Sequence, residues 1–151
     1  MPFVPDDFAV PTELHSDWCH LRPLAVADNE RDFAAWQSSV DHIAATPGYE
    51  GRTWPVHDYA LEQNAEDLAE HVADFAARRG FTYTVLHEGD GETIGCVYVY
   101  PPEDGDPAFQ AEVRSWVRAD HATRDADLYR LVKAWVDADW PFTTVRYAPR
   151  D

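Results

Sequence analysis

The chain has 151 residues, with 28 Asp and Glu against 12 Lys and Arg, giving a formal charge of −16 at pH 7. Its length suits one domain with a sizeable core, burying about two thirds of the unfolded surface. The charge leaves no basic patch to displace counterions from a nucleic acid or to sit on an anionic membrane, and no stretch approaches the ~18 apolar residues of a spanning helix. The opening Met1-Pro-Phe-Val-Pro-Asp-Asp7 lacks the basic and apolar regions of a signal peptide, so a cytoplasmic protein is expected. Cys19 and Cys96 are too few for a disulfide framework, and Cys96, inside a strand pattern, reads as a small buried thiol.

Residues 1–17 are proline-rich and acidic and read as an N-terminal tail or a strap over the surface, ahead of a domain at 18–151. Cys19 to Leu24 is a short strand ending at proline. Asp28 or Asn29 then caps a helix with Phe33, Trp36, Val40 and Ile43 on one face, stopped by Thr46-Pro-Gly48. A loop from Tyr49 to His57 is rich in groups that recognise ligands. The second helix runs from about Asp58 or Asn64 to Arg79, with an apolar stripe of Leu61, Ala65, Leu68, Val72 and Phe75. Its early acids and late arginines suit the helix dipole, and Gly80 is the expected stop.

Phe81–His87 and Thr93–Tyr100 are β-branched and aromatic runs around Gly89-Asp-Gly-Glu92, a hairpin signal. Pro101-Pro102 ends it, and Glu112–Arg118 is the next strand. Along that strand Glu112, Arg114, Trp116 and Arg118 share a face too polar for a core, which therefore meets water or a cleft. Leu128, Leu131, Val132 and Trp135 fall at helical spacing, and Trp140–Tyr147 reads as a closing strand.

The order strand, two helices, three strands, helix, strand, opened by Leu21-Arg-Pro-Leu24, resembles the GNAT acetyltransferase superfamily over roughly Leu21 to Tyr147. The resemblance implies a single-domain α/β (α+β) fold: a mixed, mostly antiparallel twisted sheet flanked by about three helices. The family's fourth helix and last two strands have no counterpart here. It also implies transfer of an acyl (acetyl) group from coenzyme A to an amine. Acetyl-CoA or another acyl-CoA would then lie against Trp116, Val117 and Arg118 and the following His121, Thr123 and Arg124.

In that family the loop before the helix is glycine-rich, so that backbone N–H groups reach the pyrophosphate. Here Ala119 to Asp127 holds no glycine and places Asp120, Asp125 and Asp127 in the neighbourhood. One aspartate about 5 Å from a phosphate opposes binding by roughly 3 kcal/mol at an effective dielectric of 20. Weak coenzyme A binding is the expectation.

By the same resemblance Glu112 or Glu50 accepts the amine's proton and Tyr147 protonates the leaving thiolate. Tyr49 and Trp54 would stack on a cationic amine, with His57 as proton shuttle; alternatively Trp54-Pro55 plugs the core. A different class of function is a domain that keeps the fold without coenzyme A and binds or transforms a cationic small molecule in the old acceptor cleft. The histidines show no metal-ligand spacing, His15 and His20 lying five apart, and no metal is expected. An uncovered closing edge at Thr143–Tyr147 predicts a homodimer.

Overall fold

The computed structural model describes residues 2–150. Their strands form one sheet in sequence order: β1 (Leu14–His15), β2 (Cys19–Pro23), β3 (Phe81–His87), β4 (Thr93–Tyr100), β5 (Ala111–Val117) and β6 (Val145–Tyr147). Neighbours pair antiparallel except β5 with β6, which run parallel, Glu112 opposite Arg146 and Val113 opposite Tyr147. The central strands β3 and β4 are buried on both faces, which explains their unbroken run of apolar residues and threonines.

Helices cover both faces. On one side α1 (Asn29–Gln37) and α2 (Val40–Ala44) seat Trp36, Val40 and Ile43 against Cys96 and Trp116. On the other, α4 (Asp125–Asp139) presses Leu128, Val132, Trp135 and Val136 onto Tyr83, Val85, Val97, Val113 and Val117. The long helix α3 (Leu61–Ala76) packs beside α1 and β3. The segment ahead of β2 is part of this core: Val4 is buried, Phe3 stacks on Phe81, and β1 extends the sheet.

Most elements lie where the sequence puts them, and three differ for identifiable reasons. The first helix is broken between Gln37 and Val40. Ser38 Oγ donates to the Ala35 carbonyl, and Ser39 Oγ accepts the Ala119 N–H at 2.8 Å, so serine side chains compete with the backbone ladder. The second helix ends before Gly80, because Arg78 takes the left-handed turn (φ 61°) and its guanidinium ties down Pro5 and Phe8 carbonyls. The closing strand is only Val145–Tyr147; Trp140 is committed to the core, and the Thr143 N–H goes to the Gln110 side chain. Four α-helices stand among the described residues rather than three.

Two aspartates one turn apart show how burial and pairing compete. Burial would raise the Asp28 carboxyl, but Arg22, the Ala25 N–H and Arg31 outweigh it and bring it to about 2. Asp32 is equally buried and has only an Asn64 amide at 3.2 Å, so desolvation lifts it to about 6. A raised carboxyl favours the folded state while protonated, and that benefit is lost as pH rises from about 4 through 6. Asp32→Asn therefore stabilises the protein at pH 7–8 by about 1–3 kcal/mol, from a shift of roughly two units at 1.36 kcal/mol each, and gives no gain at pH 4. Urea unfolding at the two pH values measures it; equal effects at both would refute the desolvation account.

Candidate active site

The face of β5 too polar for a core opens on a cleft. Its walls are the loop at Gly48–Arg52, the loop between β4 and β5, and β6 with Ala148 and Pro149, enclosing about 720 Å³. Strand alternation aims Glu112 and Arg114 into it while Trp116, two residues on, is sealed beneath α1 with its indole N–H on the Tyr98 hydroxyl.

The cleft carries an ionic ladder. Arg52 binds Glu103 through both Nη atoms at 2.7 and 2.9 Å. Arg114 donates to Glu112 Oε1 (3.0 Å) and to the Gly48 carbonyl. Arg146 donates to Glu112 Oε2 and Asp104, both at 2.9 Å, and lies over the Phe109 ring. Both oxygens of Glu112 are thus engaged by arginines. Glu50 differs: its carboxylate accepts the Gly48 N–H at 2.9 Å and meets no cation among the described residues. Four carboxylates face three guanidiniums, so the cleft is net negative.

Beyond Tyr147 the last strand leaves β5, and the resulting wedge is filled. The Arg150 side chain is 3% exposed. Its Nε donates to Asp125 at 2.9 Å, one Nη to the Ser115 carbonyl at 2.8 Å, and the other to Ala148. The guanidinium also lies near the rings of Tyr129 and Tyr147. Arg118 N–H bonds back to Ile94 on β4, so by alternation Ser115 and Val117 turn their backbone groups toward this wedge. Tyr147 joins from above, its hydroxyl 2.5 Å from Ser115 Oγ, and burial pushes its phenol pKa up, keeping it protonated.

At the start of α4, residues Ala119–Arg124 wind into a tight 3-10 turn. Three backbone donors here are already used: the Ala119 N–H by Ser39, the His121 N–H by Arg118 and the Asp125 N–H by Ala122. Their cations are used too. Arg118 clasps Asp120 at 2.7 Å, and Arg124 and Arg130 share Asp127. His121 leans on Asp120 and on the His87 ring, while Thr123 is exposed. These residues do not fit a coenzyme A pyrophosphate: there is no glycine, three N–H groups are already bonded, an aspartate sits inside the helix start and an arginine fills the neighbouring wedge.

The structure gathers Glu50, Glu112 and Tyr147 around the cleft and does not bring Tyr49, Trp54 or His57 into it. Tyr49 is buried with its hydroxyl unpartnered, and burial pushes its phenol pKa well up, keeping it protonated. The Trp54 ring packs against Trp36, Tyr49 and Trp116. His57 points away, 2.8 Å from Asp41. Arg52, Glu103, Asp104, Arg146 and Arg150 carry no site signal in the sequence, and Asp125, placed there beside a pyrophosphate, instead pairs with Arg150. Only Arg114 had a signal, its shared face with Glu112.

No protein-family model matches the chain, and no curated protein does. Solved structures do match, at probability 1.00. The ribosomal-protein-S5-alanine acetyltransferase of Vibrio fischeri is 14% identical, with a TM-score of 0.63, over 84% of this chain and 66% of that one. FdhC, a nucleotide-linked sugar GNAT, is also 14% identical, with a TM-score of 0.65, over 91% and 72%. The microcin C7 self-immunity acetyltransferase MccE, in complex with acetyl-CoA and AMP, is 13% identical at 0.61, over 85% and 69%. With the sheet order, the parallel β5–β6 pair and the helix placement above, these likenesses establish that the chain has the fold of the GNAT acetyltransferases.

Proposed function

We propose that the chain binds a small cationic amine in the acceptor-side cleft and does so without coenzyme A in the β5–β6 wedge. One observation carries this reading: the Arg150 guanidinium fills the wedge between β5 and β6, ion-paired to Asp125 at the helix start and bonded to the Ser115 carbonyl of β5. Recognition then falls to the cleft, where Glu50 is the carboxylate left without a cation. An ammonium about 4 Å from it gains roughly 1 kcal/mol in water and up to about 4 at an effective dielectric of 20. Glu112 supports the same charge indirectly, since it holds Arg114 and Arg146 back against the walls.

A second reading is acyl transfer from an acyl thioester to the bound amine. It is favoured by the divergence of β5 and β6 and by the acetyl-CoA that MccE holds in the same fold. It requires Arg150 to leave the wedge, and it would use Glu50 or Glu112 as proton acceptor and Tyr147 as donor. A homodimer paired through the β6 edge belongs with either reading.

Calorimetry separates the two. The unmodified protein is expected to bind spermidine or tyramine with a dissociation constant of ~0.1–1 mM and acetyl-CoA not at all below ~1 mM. Glu50→Gln should weaken the amine about fivefold to tenfold, and raised salt should weaken it further. Acetyl-CoA binding below ~100 μM would overturn the first reading in favour of the second. Silence toward both kinds of ligand would sink amine binding itself.

Removing the plug has its own signature. Arg150→Met leaves the half-buried Asp125 without its cation, which costs up to about 3–5 kcal/mol. Pairing it with Asp125→Leu should recover most of that loss, because an apolar pair replaces an ionic one of similar volume. Denaturant melts of the parent and the two variants measure this. A single Arg150→Met variant as stable as the parent would mean the ion pair is incidental.

A further inference from the structure

His15 and His20 show no ligand spacing along the chain, but the hairpin sets them face to face. Ser16 N–H donates to the Cys19 carbonyl at 2.9 Å, closing the β1–β2 hairpin with a hydrogen-bonded pair. The next pair out, His15 opposite His20, is then a non-hydrogen-bonded one, where side chains stand closest. Their rings lie 4.7 Å apart and 11° from parallel.

Glu88, just after β3, supplies the third group. Its Oε1 is 3.8 Å from His15 Nδ1 and 4.0 Å from His20 Nδ1. Its backbone N–H donates to the Trp18 carbonyl at 3.0 Å, which fixes it against the hairpin's turn. Glu13 stands on the far side of His15, its carboxylate 3.8 Å from Nε2. Two imidazoles and one carboxylate therefore offer ligand atoms all within 4.8 Å of one another.

We propose that His15, His20 and Glu88 form a site for a divalent transition metal of the zinc class. A tetrahedral zinc with bonds of about 2.0–2.2 Å separates its ligand atoms by roughly 3.3–3.6 Å. The cluster needs to contract by about an ångström, and the stacked rings must turn so that their lone pairs converge. His15, stacked only on His20 and with its side chain 58% exposed, has room for such a turn. Binding through Nδ1 leaves Nε2–H of His15 to donate to Glu13, the outer carboxylate that commonly orients a metal-bound histidine. Two imidazoles favour zinc, nickel or copper over magnesium and calcium, which prefer all-oxygen sites. Water completes the shell, since three protein ligands leave a position open.

The location defines the effect. The metal would pin the edge hairpin to the end of β3, and a ligand held only by the folded state raises stability. The untagged protein, stripped with EDTA, is titrated with zinc chloride by calorimetry and by thermal melting. The expected result is one zinc per chain, a dissociation constant of ~1–10 μM and a higher melting temperature. His15→Ala and Glu88→Gln should each weaken binding more than tenfold, and calcium should leave the melting temperature unchanged. Circular dichroism confirms that the variants, at accessible positions, remain folded. The proposal is overturned if zinc fails to bind at ~100 μM, or if it binds undiminished to a folded His15→Ala, His20→Ala double variant.

Discussion

The pairing of Arg150 with Asp125 is the contact on which the closing of the sheet at β5, β6 and α4 depends. Two charges withdrawn from water cost several kcal/mol each, and mutual attraction offsets this only when the remaining donors are also satisfied. Here the guanidinium has Asp125, two backbone carbonyls and two tyrosine rings. That arrangement fixes the start of α4 relative to β5. It also holds the chain beyond β6 in the wedge and takes up the Ser115 carbonyl on the open edge of β5. A parallel pair only three residues long would otherwise leave that edge exposed.

Electrostatics elsewhere follow the same logic of local compensation. The chain is strongly acidic, yet seven of its twelve basic residues stand around the cleft and the wedge (Arg52, Arg114, Arg146 and Arg150) or around the start of α4 (Arg118, Arg124 and Arg130). Each is held by a carboxylate there, so the region is close to neutral and the excess acid lies on other surfaces. A phosphate approaching Ala119–Asp127 would find its cations already neutralised. An ammonium approaching Glu50 would find a carboxylate that is not.

The architecture was legible because it is written in local patterns. The hairpin boundaries at Phe81–His87 and Thr93–Tyr100 coincide with those of the structure, since turn glycines and Pro101-Pro102 bracket them. The split at Ser38-Ser39 was not legible, because it depends on Ala119 reaching across eighty residues to Ser39. The site was legible in halves. Glu112 and Arg114 follow from strand alternation, and Glu50 from a loop rich in polar groups. Arg150 and Asp125 meet only through tertiary structure, as do His15, His20 and Glu88, and no spacing rule along the chain exposes either set. Trp54 read equally as ligand platform or plug, and its packing on Trp36 and Trp116 shows how the loop is anchored.

That anchoring explains how one half of an acyltransferase fold can be kept while the other is filled. Trp36, Tyr49, Trp54 and Trp116 form a second core, separate from the one beneath α4. It sets the loop at Gly48–Arg52 rigidly over β5, projecting Glu50 and Arg52 into the cleft whatever occupies the wedge. The wedge, by contrast, is governed by the first residues of α4 and the residues after β6. Because the two halves rest on different cores, changes at Asp125 and Arg150 can reshape the wedge and leave the cleft in place. A fold built in this way can alter one half without disturbing the other.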